Sequence, residues 1–123
     1  MGKKILVVDD EPEVTRILKT RLEAAGYEVM TALTGEECLL QAKKGRPDLV
    51  ILDILMPGID GIEAAAQLKQ NPLTRGIPIF FLTCLKTKQD EHRSRKAGEY
   101  TIFAKPFDPE ELMTKIKETV GEG

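Results

Sequence analysis

The sequence predicts an α/β fold, a parallel five-stranded sheet with helices on both faces. Three observations carry that prediction. Short, wholly apolar runs such as Ile5-Leu6-Val7-Val8 and Leu49-Val50-Ile51-Leu52 read as strands buried on both faces. Other stretches repeat their apolar residues every three or four positions, the period of a helix packed along one side. The two kinds of segment alternate along almost the whole chain, as parallel βα units do. Right-handed crossovers then leave only a few doubly wound strand orders.

Each element follows from local residues. After the first strand, Val14, Ile17, Leu18, Leu22 and Ala25 recur at helical spacing, and Gly26 stops the helix. Tyr27 to Ala32 is a second, more polar strand. Thr34 with Glu37 forms a capping-box pattern for a helix to about Lys44, broken by Gly45-Arg46-Pro47. Leu49 to Leu52 is the third strand. Asp60 with Glu63 repeats the capping pattern for a helix through about Gln70, and Asn71-Pro72 ends it. Ile77 to Leu82 is the fourth strand. Thr87 to Ala97 reads as a helix that is almost wholly polar, closed by Gly98. Tyr100 to Ala104 is the fifth strand. Asp108-Pro109-Glu110-Glu111 supplies an N-cap, a first-turn proline and acid at the helix start. Leu112, Met113, Ile116 and Val120 give that last helix its buried stripe.

Composition narrows the function classes. The chain has 123 residues, of which 41% are apolar, a length and content suited to one globular domain spanning residues 1–123. Its 18 basic and 20 acidic residues give a net charge of −2, which argues against nucleic-acid binding through a broad basic surface. Two distant cysteines and one histidine match neither a zinc motif nor a disulfide framework. No apolar run approaches the length of a membrane span, and the first residues do not form a signal peptide. The expected setting is cytoplasmic, with no membrane partner.

Functional sites in such sheets form beyond the carboxyl ends of the strands. The first strand ends in Asp9-Asp10-Glu11, the third in Asp53, the fourth in Thr83 and the fifth in Lys105-Pro106. These polar groups are far apart in sequence but fall at one edge of the sheet. Asp53 lies inside the apolar run Leu49 to Leu55, where a carboxylate is costly unless its oxygens have partners. Taken alone it reads equally well as a strand-end residue that turns the chain. Asp9 and Asp10 read individually as helix-capping residues. Together, the three carboxylates repel one another unless a cation sits among them, and a hard-oxygen set without His or Cys favours Mg²⁺. Thr83 and Lys105, each unremarkable singly, supply a hydroxyl and an ammonium suited to phosphoryl oxygens.

These residues resemble the response-regulator receiver domains of two-component signalling. The resemblance rests on Ile5-Leu6-Val7-Val8-Asp9-Asp10-Glu11, Asp53 with Met56-Pro57 and Asp60-Gly61, Thr83, and Gly98 seven residues before Lys105-Pro106-Phe107. It covers essentially the whole chain. It implies a flavodoxin-like sheet of order 2-1-3-4-5. It implies that Asp53 is the phosphoacceptor and becomes an acyl phosphate. Asp10 would bind Mg²⁺ directly, Asp9 would lie nearby and often act through water, and the Leu55 backbone carbonyl would complete the protein ligands. Thr83 would hydrogen-bond a phosphoryl oxygen, and Lys105 would pair with Asp53 or the phosphoryl group. The Lys105–Pro106 bond would be cis. The donor would be a sensor histidine kinase or a histidine phosphotransfer protein, and the output a contact with a further protein.

The chain departs from the family at Ile102, three residues before the lysine, where an aromatic side chain usually couples to the threonine. Strand alternation places Tyr100 on the face of Ile102 and Phe103 on the opposite face. Signalling is therefore expected to rely on Thr83 and the loop and helix after it, or on an atypical readout. The polar segment Lys86 to Ala97 has little apolar surface to anchor it and is expected to be locally mobile and available to a partner. His92 is expected on its surface, outside the phosphotransfer chemistry. The resemblance implies that Leu55 and Leu85 flank the site; two leucines cannot orient a water by hydrogen bonding, so slow loss of the phosphoryl group is expected. Cys84 is expected to pack beside the site. Two rival classes are an interaction module that no longer turns over phosphate and a Mg²⁺-dependent phosphohydrolase; the second would need a cap or substrate pocket that this sequence shows no insertion to build.

Overall fold

The computed structural model describes residues 2–84, 87–95 and 100–123. Five strands and five helices alternate: β1 (Lys4–Val8), α1 (Pro12–Ala24), β2 (Glu28–Ala32), α2 (Gly35–Gly45), β3 (Leu49–Asp53), α3 (Gly61–Gln70), β4 (Ile79–Thr83), α4 (Lys88–Arg95), β5 (Thr101–Ala104) and α5 (Pro109–Val120). The strands form one parallel sheet in the order β2-β1-β3-β4-β5, the flavodoxin-like order expected.

Strand alternation divides the core in two. Leu6, Val8, Val50, Leu52 and Phe81 point to one side and pack against Cys38 and Ala42 of α2 and Ala64, Ala65 and Leu68 of α3. Ile5, Val7, Leu49, Ile51 and Leu82 point to the other and meet Leu18 and Leu22 of α1 and Leu112 and Ile116 of α5. β1, β3 and β4 are therefore buried on both faces, which is why they contain almost no polar residue before their carboxyl ends. Among the described residues, none of α4 belongs to either cluster. Its sequence, Lys88-Gln89-Asp90-Glu91-His92-Arg93-Ser94-Arg95, offers no aliphatic side chain to contribute.

The helix starts follow their capping residues. Thr34 accepts from the Glu37 N–H at 3.0 Å, and the Glu37 carboxylate reaches back to the Leu33 N–H at 2.6 Å. Asp60 accepts from the Glu63 N–H, and Asp108 from the Glu110 N–H. α1 differs: Glu11 is its N-cap residue and makes no side-chain cap, while Asp9 accepts from the Glu11 N–H at 2.9 Å. Several boundaries shift from expectation for identifiable reasons. β2 begins at Glu28 because the Tyr27 N–H closes α1 on the Leu22 carbonyl and its hydroxyl donates to the Gly121 carbonyl. β4 begins at Ile79 because Pro78 has no N–H; its carbonyl still accepts from the Val50 N–H at 3.0 Å. α2 ends one residue late, and Arg46 takes the left-handed conformation, φ 44°, ahead of Pro47. The closing Gly98 lies outside the described residues.

Candidate phosphoacceptor site

The register of the sheet brings the marked residues to one edge. Val8 pairs with Leu52, Asp53 with Leu82, and Thr83 with Ala104. The residues that end or follow β1, β3, β4 and β5 are thus neighbours across the sheet. Short backbone bonds fix that edge: Asp9 N–H to the Ala32 carbonyl, Ile54 N–H to the Leu82 carbonyl, and Lys105 N–H to the Thr83 carbonyl at 2.7 Å. The Lys105–Pro106 peptide is cis, as the resemblance implies. Gly61 donates its N–H to the Ile54 carbonyl at 2.9 Å, and its Cα lies so close to the Asp53 carbonyl that a β-carbon would run into the backbone there. A glycine at the start of α3 is therefore what lets that helix close over the end of β3.

Asp9, Asp10 and Asp53 converge, each offering a carboxylate oxygen within 4.8 Å of the others. Asp9 is completely buried and Asp53 nearly so, while Asp10 is exposed. The Lys105 ammonium lies 2.6 Å from Asp9, 3.3 Å from Glu11 and 3.5 Å from Asp53. Its shortest pair is thus with Asp9 rather than with Asp53, and Glu11, which the sequence did not single out, is a third partner. Asp53 also accepts the Leu55 N–H at 3.2 Å. Thr83 is buried at the end of β4. A cleft of about 270 Å³ opens over the cluster, lined by Asp10, Glu11, Asp53, Leu55, Cys84, Asp90 and Lys105. A larger groove of about 710 Å³ lies between α1 and α5 and shares no residue with this cleft; the cleft is where the chemistry-bearing residues gather.

The electrostatics reflect one ammonium serving several carboxylates. Burial, followed by the neighbouring Asp9 charge, pushes Asp53 up to about 7, against an ordinary value of 3.8; Lys105 and the Leu55 N–H offset this only in part. Burial also raises Asp9, although the Lys105 hydrogen bond opposes it. For Lys105, burial pulls the pKa down, but the Asp9 hydrogen bond and the Asp53 and Asp9 charges more than compensate, leaving it above its ordinary value. Burial is the main cause of the raised Asp53 and the Asp9 charge the second, so Lys105 and the Leu55 N–H compensate its ionised form only in part. A small, hard divalent cation fits this all-oxygen set and its excess negative charge.

The comparisons agree with the geometry. The family described as response regulator receiver domain matches residues 5–117. The alkaline phosphatase synthesis transcriptional regulatory protein PhoP of Bacillus subtilis is 42% identical over 117 residues, 95% of this chain and 48% of that protein. A putative response regulator from Chloroflexus aurantiacus superposes with a TM-score of 0.86 at 39% identity, covering 98% of each chain. The receiver domain of the sensor histidine kinase PA1611 from Pseudomonas aeruginosa has a TM-score of 0.88 at 28% identity, covering 98% of this chain and 99% of that one; its structure has a magnesium ion coordinated in the active-site cleft. The chain belongs to the response-regulator receiver family of two-component signalling. It spans about half the length of the first curated relatives it matches.

Phe103 packs beside Phe80, with ring centroids 5.8 Å apart, and Tyr100 meets Phe81 edge-on at 5.1 Å on the opposite face of the sheet. Ile102, at the usual aromatic position, is 37% exposed. His92 is exposed and Cys84, half-buried, lines the cleft. Leu85 lies outside the described residues. Among the described residues, no helix is long and apolar enough to cross a membrane.

Proposed function

We infer that residues 1–123 form one phosphoacceptor signalling domain, in which Asp53 takes a phosphoryl group from a phosphohistidine donor with Mg²⁺. The observation that carries this reading is a nearly buried carboxylate at the floor of an open cleft, beside two further carboxylates and an ammonium at 3.5 Å. An Asp53 oxygen attacks phosphorus as the phosphorus–nitrogen bond to the donor imidazole breaks, and that bond's electron pair returns to the imidazole. The product is an acyl phosphate. Asp10, Asp53 and the Leu55 carbonyl would hold Mg²⁺, with Asp9 beside them; the ion supplies positive charge against the phosphoryl oxygens. Lys105 balances charge on Asp53 and the transferring group, and the Thr83 hydroxyl donates to a phosphoryl oxygen. Leu55 lines the cleft and offers a hydrolytic water no hydrogen bond, so the phosphoryl group leaves slowly.

The donor is a sensor histidine kinase or a histidine phosphotransfer protein, and the output is altered binding to a protein partner in the cytoplasm. By itself, this domain is not expected to bind nucleic acid or a membrane. The test is intact-mass spectrometry after incubation with acetyl phosphate, with and without Mg²⁺. One Mg²⁺-dependent phosphoryl adduct, absent in Asp53→Asn, supports the reading. No adduct with small donors or with a phosphohistidine protein supports an interaction module, and sustained turnover of phosphate esters supports a hydrolase.

A further inference from the structure

The cleft that holds Asp53 also holds one carboxylate from α4. Asp90, partly buried, lines it together with Asp10, Glu11, Asp53 and Lys105. The same carboxylate closes the start of α4: Asp90 Oδ2 accepts the Thr87 N–H at 3.1 Å, and Thr87 Oγ1 accepts the Asp90 N–H at 3.0 Å. This is a reciprocal capping box with aspartate in the usual glutamate position. Because the sequence of α4 has no aliphatic residue, its first turn depends on such local bonds more than the apolar-faced helices do.

We propose that Asp90 is the positioning residue that couples the phosphorylation cleft to α4, its carboxylate both capping the helix and facing the charge that phosphorylation adds. The inference rests on the phosphoacceptor reading above. An aspartyl phosphate carries about −1.5 to −2 charges in place of the carboxylate's single charge, a net gain of up to about one, and adds strong acceptor oxygens. Those oxygens repel the Asp90 carboxylate and compete with it for donors at the start of α4. The Thr87–Asp90 box opens, and the first turn of α4 loosens or re-seats. Such repulsion is expected to shift the opening equilibrium by about five- to tenfold. Linkage requires the reverse effect as well: the capping carboxylate weakens anion binding at Asp53 by a similar factor. This route from Asp53 to the surface does not need an aromatic side chain at Ile102.

The test uses the whole chain with Mg²⁺ and beryllium trifluoride as a stable phosphoryl mimic, its binding followed by fluorine NMR. Amide hydrogen exchange is read in the first turn of α4. In the parent, exchange there should rise about five- to tenfold on binding the mimic. Asp90→Asn keeps an acceptor for the Thr87 N–H but removes the charge; its exchange should change less than about twofold, and it should bind the mimic about five- to tenfold more tightly. A purely structural cap would be preserved in Asp90→Asn and would leave mimic affinity unmoved. Thr87→Ala, which opens the box from its other side, should exchange fast with or without the mimic. Bound mimic with unchanged α4 exchange in the parent, or a full response in Asp90→Asn, overturns the coupling while leaving the phosphoacceptor reading intact. Failure of the parent to bind the mimic or accept a phosphoryl group at Asp53 removes both.

Discussion

Replacing Asp53 with Asn removes a carboxylate that the fold holds against its own charge preference, so in the absence of divalent cations Asp53→Asn should stabilise the protein at neutral pH. The magnitude follows from the raised pKa. An aspartate with an ordinary value of 3.8 sits at about 7 in the folded domain, so between those limits the folded state keeps a proton that the unfolded chain releases. Stability contributed by such a group falls as pH rises, is lost across roughly pH 4 to 7, and is level above that. At about 1.4 kcal/mol per pH unit the difference comes to roughly 4 kcal/mol. Asp9, shifted in the same direction, adds to the slope and should persist in the variant. The assay is urea unfolding with a chelator at pH 5, 6, 7 and 8. The parent should lose stability over this range and Asp53→Asn should lose distinctly less, with the two diverging most above pH 7. Saturating Mg²⁺ should flatten the parent's profile, since a cation that binds only the folded state stabilises it. Identical pH slopes for parent and variant in chelator would refute the reasoning that burial and the Asp9 charge set the state of Asp53.

Further predictions follow from the same contacts. Lys105→Met leaves the fully buried Asp9 without its 2.6 Å partner; unfolding free energy should drop by about 3–5 kcal/mol near neutral pH, and phosphoryl acceptance from acetyl phosphate should slow, both readable on one preparation. Gly61→Ala places a methyl group against the Asp53 carbonyl and the Ile54 backbone; chemical denaturation should show a loss of roughly 3 kcal/mol or more, and an unchanged midpoint would contradict the close approach of α3 to β3. Leu55→Asn gives the cleft a polar group able to position water, and the phosphorylated form should decay several-fold faster by intact mass; a longer lifetime would count against water exclusion by Leu55.

The sheet was legible because its three central strands are buried on both faces. Ile5 to Val8 and Leu49 to Leu52 are short, wholly apolar runs, and the capping residues Thr34 and Asp60 mark the helices on either side of the second. The edges were less legible. Tyr27 looks like a strand residue but is spent on closing α1 and reaching Gly121. Ile77 precedes a proline whose missing N–H delays the ladder. At the site, the strand-end rule identified Asp9, Asp10, Asp53, Thr83 and Lys105, and the structure sets these residues along one edge. It did not predict which carboxylate Lys105 approaches most closely, since that depends on the buried position of Asp9, nor the part of the exposed Glu11. Asp90 was missed although its signal was present: Thr87 and Asp90 stand at capping-box spacing, but no apolar run follows to mark them as a helix start. That the same carboxylate lines the Asp53 cleft is a tertiary fact no local pattern contains.

The central claim is that Asp53 itself carries the phosphoryl group. Reduction of the phosphorylated protein with borohydride converts an aspartyl phosphate to homoserine, and peptide mapping then locates it. A single homoserine at position 53, dependent on Mg²⁺ during phosphorylation, is the predicted result. Homoserine at position 9 or 10, or a phosphoryl adduct that yields none, would contradict the account.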